Sequence, residues 1–248
     1  GNYGNVFDLD DGGELGFFVA GNYRNRWRQR TNGIERSYSA NVIERPPLDD
    51  FEFEEIFNTI EMSGLLSVGW NFGNSALASN TIVSRVTDSR VKQRVGRDGD
   101  ELIPSIRSTI DWVERNFFSQ QFTGNHILGE DERWTADWQF TARRADRLAP
   151  DRRDIRFDLE GNDGVFNLEV PALLRRWDEL TDFNYDLSGQ LEYAFSDTTS
   201  ASVGAKGIRR ERDSDSETYG FIGGQAIDDN APNIRTDDVL GTDTITGN

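Results

Sequence analysis

The sequence predicts an all-β fold: an antiparallel transmembrane β-barrel segment of about seven or eight long strands, an incomplete barrel with short turns at one end and long loops at the other. Three observations lead there. Apolar and polar residues alternate over stretches longer than soluble strands usually run, the connections alternate in length, and the composition fits neither a compact core nor a membrane helix. Only 35% of residues are hydrophobic, while aromatics reach 11% and Gly contributes 24 residues. Soluble globular domains usually carry roughly 45–50% apolar residues. No stretch approaches the ~18 consecutive apolar residues of a membrane helix, so any crossing has to be made by strands.

Taken in order, the chain opens GNYGNVFD, without Met, a basic start or an apolar core. This start reads as the interior of a longer polypeptide, with Tyr3 to Phe7 the remnant of a strand. Leu15, Phe17, Val19, Gly21 and Tyr23 then alternate with Ala20, Asn22 and Arg24. Ile60, Met62, Gly64, Leu66, Val68, Trp70 and Phe72 form an apolar phase opposite Glu61, Ser63, Ser67 and Asn71. Two further strands are read through Ile82, Ser84 and Val86 and through Phe118, Gln120 and Phe122. Trp134, Ala136, Trp138, Phe140 and Ala142 face away from Thr135, Asp137, Gln139, Thr141 and Arg143. The longest alternation runs from Phe183 to Phe195, and Ala201, Val203, Ala205 and Gly207 begin another. A soluble strand usually takes about 5–6 residues and a tilted membrane-crossing strand about 9–11, so these runs fit the second class.

Short turns are expected at Asp8 to Gly13, Gly73 to Ser75, Gly129 to Arg133 and Ser196 to Thr198. Long loops are expected at Thr31 to Asn58, Asp88 to Ser105, Arg147 to Thr181 and after Arg210. Pro46, Pro47, Pro104, Pro150, Pro171 and Pro232 all fall in those loops, which suits a residue that cannot donate to a sheet ladder. Phe7, Phe17, Trp70, Phe72, Trp134 and Phe195 lie near the short turns and Tyr23, Trp27 and Tyr185 toward the loops, as two interfacial girdles require. A soluble β-sandwich with buried aromatics is the competing fold, but it needs turns at about 8–12-residue spacing.

The net charge of −17 argues against nucleic-acid binding, which needs a clustered basic surface. The acidic segments LDDFEFEE, GRDGDE and RDSDSE read as solvated loops. With no Cys there is no disulfide framework or thiolate chemistry. Arg24, Arg26 and Arg28 share the polar phase of one strand, and Arg115 and Arg143 the polar phases of two others. In a barrel these five point into the lumen as candidate ligand-binding groups, able to attract an anionic solute or pair with a plug. The plainer reading pairs them with Asp111, Asp137, Asp186 and Glu192 on the same wall. RRADRLAPDRRDIRFD is read as the basic start of an outer loop, its Arg and Asp residues offsetting each other or capturing an anion such as a metal chelate. The acidic runs Asp49 to Glu55 and Asp237 to Asp243 lack the spacing of a calcium loop, so no metal site is assigned. His126 is the only histidine; Ser119 shares its strand, but no nucleophile motif surrounds it, so no catalytic residue and no cofactor are expected.

The hairpin LTDFNYDLSGQLEYAFSDTTSASVGAKGIRRERDSDSE, together with WTADWQFTARRADRLAPDRRDIRF, resembles barrel segments of TonB-dependent outer-membrane receptors. The likeness lies in a long alternating strand, a tight polar turn, a second strand and a charged exit. It covers most of Gly13 to Glu217 without a diagnostic motif. The resemblance implies that residues 1–248 are part of one barrel domain with no plug domain, and that they belong to a receptor in a Gram-negative outer membrane. Outer loops would capture a scarce small-molecule ligand, and uptake would be driven through a plug domain and the TonB system.

Overall fold

The computed structural model describes residues 1–10, 12–38, 47–98, 103–159 and 166–220. They form one antiparallel sheet of eight strands in simple sequence order, and no helix occurs among them. The strands are β1 (Asn2–Asp8), β2 (Glu14–Ser37), β3 (Asp49–Phe72), β4 (Ser75–Asp98), β5 (Ile103–Leu128), β6 (Trp134–Leu159), β7 (Phe166–Ser196) and β8 (Thr199–Gly220). β1 and β8 are its two edges, so the sheet is open.

The turns sit where the sequence places them. Gly73 and Asn74 join β3 to β4, and Gly73 takes φ 49°, the positive angle that the first position of a tight hairpin turn demands. Gly129 to Arg133 join β5 to β6, with Gly129 at φ 92° and Glu132 at φ 55°. Neighbouring turns are tied together: Asn74 Nδ2 donates to Glu132 Oε1 at 2.8 Å, and Asn74 accepts the Ile127 amide at 2.8 Å.

At the other end the expected loops are mostly strand. β2 through β8 each run for 22 to 31 residues. At ~3.3 Å per residue a 24-residue strand such as β4 reaches ~80 Å, far beyond what a bilayer needs. Only 38–48, 99–102 and 160–165 separate the far ends. LDDFEFEE and RDSDSE therefore lie on β3 and β8, and the RRADRLAPDRRDIRFD segment is the outer half of β6.

The proline reading needs the same correction, because Pro104, Pro150 and Pro171 lie within β5, β6 and β7. Two of them coincide with irregularities that remove the ladder bond a proline cannot make. Pro150 sits where β6 shifts register between Ala149 and Arg152, and Pro171 lies where β7 slips against Ile155 and Phe157. Pro46 and Pro232 lie outside the described residues.

Directly opposed residues share a face, so the register tests the alternation across the whole sheet. Leu15, Trp70, Leu77, Gly124, Trp138, Gly189 and Ala205 form one continuous row. Val19, Leu66, Thr81, Gln120, Ala142 and Tyr185 form another on the same side. The apolar phases of β2, β3, β5, β6, β7 and β8 thus align on one face. β4 is the exception: Val83 and Leu77 lie on the apolar face, whereas Ile82, Ser84 and Val86 lie opposite, beside Ser119 and Arg115.

Candidate functional site

The two faces differ in a way that inverts the usual soluble pattern. On the apolar face Val203 is 71% exposed and Leu187 59%, and they belong to a continuous sheet of exposed Leu, Val, Phe and Trp. On the polar face Thr59, Ser119 and Thr141 are buried. An apolar surface of this extent is far larger than water-facing patches on monomeric proteins. Toward the turn end it is edged by aromatic contacts: Tyr3 and Phe7 against Phe17 at 5.7 and 6.0 Å, Trp70 against Phe72 at 4.2 Å, and Tyr193 between Trp134 and Phe195 at 4.6 and 4.9 Å.

The polar face carries a trough of about 730 Å³ to which β3 through β8 all contribute. Small residues, among them Gly69, Ala78 and Gly204, open the space, and Asn71, Asn125, Gln139 and Gln190 supply donors and acceptors. Asn125 Nδ2 donates to Asp137 at 2.6 Å. Polar side chains and small or apolar residues thus share the lining.

All five arginines singled out from the sequence fall on this polar face, distributed along it rather than gathered at one point. Arg24 approaches Glu61 at 3.9 Å, and Arg28 stacks over Phe57 with 5.1 Å to the ring centroid. Arg26 and the neighbouring Arg30 make no ion pair with any described residue. Arg115 bonds Asp88 at 2.6 Å and Arg143 bonds Asp186 at 2.7 Å. Of the acids expected to balance them, Asp186 does so for Arg143, Asp111 lies 3.6 Å from Arg90, and Asp137 is taken by Asn125.

Beyond the apolar band, the outer strand halves carry a charge lattice where the sequence predicts loops. Arginines oppose each other directly at Arg94/Arg107, Arg107/Arg156, Arg115/Arg147, Arg152/Arg176 and Arg153/Arg175. Like charges in such positions destabilise a sheet unless something lies between them. Carboxylates accept from most of these guanidinium groups, and one of them bridges an opposed pair. Asp151, held at φ 59° in the β6 bulge, accepts from Arg153 Nε at 2.8 Å and from Arg175 Nε at 2.6 Å. Asp178 accepts from Arg176 at 2.8 Å and from Ser216 at 2.7 Å. Glu35 takes Lys92 at 2.5 Å and Arg94 at 3.5 Å.

Burial raises the Asp151 carboxyl, but the hydrogen bonds from Arg175 and Arg153 outweigh it and hold it below the ordinary range. Asp178 is lowered likewise, the bonds from Ser216 and Arg176 overcoming burial, and Glu35 is lowered chiefly by Lys92. The signal for this lattice was present as Arg and Asp two residues apart in Arg144/Asp146, Arg152/Asp154 and Arg156/Asp158. That is strand periodicity written in charge rather than in hydropathy.

His126 lies on the apolar face, away from Ser119. Trp138 Nε1, a donor only, bonds His126 Nε2 at 3.0 Å, so the ring proton sits on Nδ1 and is directed to Ser75 Oγ at 2.9 Å. The ring thus ties β4, β5 and β6 together. Asp49 to Glu55 lie along β3 between basic strands, with Arg36 on Asp50 at 2.7 Å. Asp237 to Asp243 lie outside the described residues, and among the described residues no cluster of carboxylates and histidine is arranged to hold a metal ion. No protein-family model, no curated protein and no solved structure matches this chain.

Proposed function

We propose that this chain is part of the wall of an outer-membrane β-barrel, its apolar face against lipid and its polar face lining the interior. In this reading it belongs to a receptor that takes up a scarce solute, such as a metal chelate or an oligosaccharide, by TonB-driven active transport through a plug domain. One observation carries the membrane assignment: the register brings six separately read apolar phases onto a single exposed face. A soluble sandwich would cover that face with a second sheet, and none occurs among the described residues. Receptor function rests on the resemblance of the β6 to β8 segments, on the trough along the polar face and on the long outer strand halves, which suit ligand capture away from the bilayer. A passive porin is the second reading, favoured by the trough alone.

Paired substitutions test the faces. Leu191 and Gln190 are neighbours on β7 that point to opposite sides, Leu191 beside Ala136 and Val203. Leu191→Arg should cost about 2–4 kcal/mol in a bilayer and Gln190→Arg far less. The unmodified protein should also require detergent or lipid to stay dispersed. Equal costs for the two substitutions, or a monodisperse protein in plain buffer, would remove the membrane assignment. Uptake that stops when the inner-membrane potential is collapsed separates active transport from a porin.

A further inference from the structure

We infer that Arg85, Arg144 and Arg209 form a rim on the apolar face that binds the phosphate-bearing headgroups of anionic lipids at the bilayer surface remote from the turns. The inference rests on the membrane reading above and adds the lipid partner and the orientation. Each of these arginines lies ten residues beyond the first residue of its strand, Ser75, Trp134 and Thr199. Along each of these three strands it is the first charged residue on the apolar face.

The returning strands behave differently. Counting from the turns, the first charges on the apolar face of β3, β5 and β7 are Glu54, Glu114 and Glu179, which lie at least fourteen residues from the turn end. Cations therefore stand nearest the apolar band, and carboxylates are held farther out. Ten residues span ~33 Å along a strand, or ~25 Å once tilted by ~40°, which is the height of a barrel's apolar band. The rim falls at headgroup level.

The arginine side chains remain accessible there, at 46%, 54% and 75% exposure. Each is steadied from the outer side: Arg85 by Glu114 at 2.7 Å, Arg144 by Asp146 at 2.9 Å and by the Phe183 ring at 5.3 Å, and Arg209 by Glu211. A planar guanidinium held this way still has N–H groups that the carboxylate does not take, in the fork that suits a phosphate. The opposite border has the reverse sign, since Asp8, Asp10, Glu130, Asp131, Glu132 and Asp197 stand at the turns against Arg133 alone among the described residues. The charge asymmetry turns the arginine rim toward the more anionic leaflet.

The test inserts the full chain into vesicles of phosphatidylcholine alone and of phosphatidylcholine mixed with phosphatidylglycerol, and compares partition coefficients. The triple variant Arg85→Gln, Arg144→Gln, Arg209→Gln is set against Arg90→Gln, Arg210→Gln, Arg212→Gln, which makes the same charge change on the polar face. A basic residue near an anionic surface contributes about fivefold in partition, and the flanking carboxylates reduce this. The rim variant should lose roughly tenfold or more of the preference for phosphatidylglycerol, while the polar-face variant keeps it. Equal losses in both variants, or a rim variant that retains the preference, overturn the lipid rim and leave the membrane assignment standing. An unmodified chain that enters neither vesicle removes the membrane assignment and the rim together.

Discussion

Replacing Asp151 by Asn removes one negative charge while keeping the side chain's shape and its tolerance of the left-handed backbone angle, φ 59°, that the β6 bulge imposes. What it exposes is the direct opposition of Arg153 and Arg175 across β6 and β7. The Asp151 side chain is 22% exposed, Arg153 28% and Arg175 14%, which places the triad between a surface pair and a buried one. Surface pairs contribute about 0–1 kcal/mol, and leaving a buried charge unpartnered costs about 3–5 kcal/mol, so Asp151→Asn should cost about 2 kcal/mol. Arg175 also stacks on Trp177 at 4.9 Å, which makes tryptophan emission during urea unfolding a local reporter. Hydrogen exchange in the outer halves of β6 and β7 should accelerate by roughly tenfold or more, because about 1.4 kcal/mol is a factor of ten. The decisive step is the double variant. Adding Arg175→Gln to Asp151→Asn removes the like charge and should restore at least half of the lost stability. If Asp151→Asn costs under about 0.5 kcal/mol, or the second substitution restores nothing, the carboxylate is not what makes the opposed arginines tolerable.

The same lattice predicts acid sensitivity confined to the outer halves. Asp151, Asp178 and Glu35 titrate below their unfolded values, so their stabilisation is complete above about pH 5 and is lost as pH falls through the folded values. Exchange protection there should fall on acidification while the apolar band stays protected; uniform loss along the strands would refute this. A Cβ at Gly124 would meet Trp138 Nε1 at 2.2 Å, so Gly124→Val should cost about 1–3 kcal/mol and break the Trp138 bond to His126, visible as a change in near-ultraviolet circular dichroism. Gly207→Ala, with nothing within 4 Å, is the control and should change little. At Gly96 a Cβ would lie 2.0 Å from the Asp50 carbonyl, a backbone atom that cannot swing aside, so Gly96→Ala should loosen the outer ends of β3 and β4 by hydrogen exchange.

Hydropathy makes the turn-end half of the sheet legible because its two faces differ there in polarity, and the difference is written at every second residue. Leu187, Leu191 and Phe195 alternate with Asp186, Gln190 and Glu192, and no helix or loop needs that pattern. β4 departs from the phase that Ile82, Ser84 and Val86 predict because both of its faces are mixed. Val83 faces out between Thr81 and Arg85, while Ile82 and Val86 face in around Ser84, so counting apolar residues on one strand could not decide. Only the pairing with Leu65 and Ser119 on either side settles it.

The outer halves escaped sequence reading for a related reason. Beyond the apolar band neither face of a strand is set apart by polarity, so hydropathy loses its period of two, and Arg, Asp and Pro accumulate as they would in a loop. Strand character survives there in pairing rather than in burial. Asp151 can bridge Arg153 and Arg175 only because they are opposed on neighbouring strands, and Arg156 can fork onto Asp158 because residues two apart share a face. Opposed arginines are tolerated where a carboxylate lies between them, as Asp151 does for Arg153 and Arg175. Where the strands extend past the apolar band, such a lattice replaces the missing apolar contrast, and the alternation of sign at single-strand spacing is the trace it leaves.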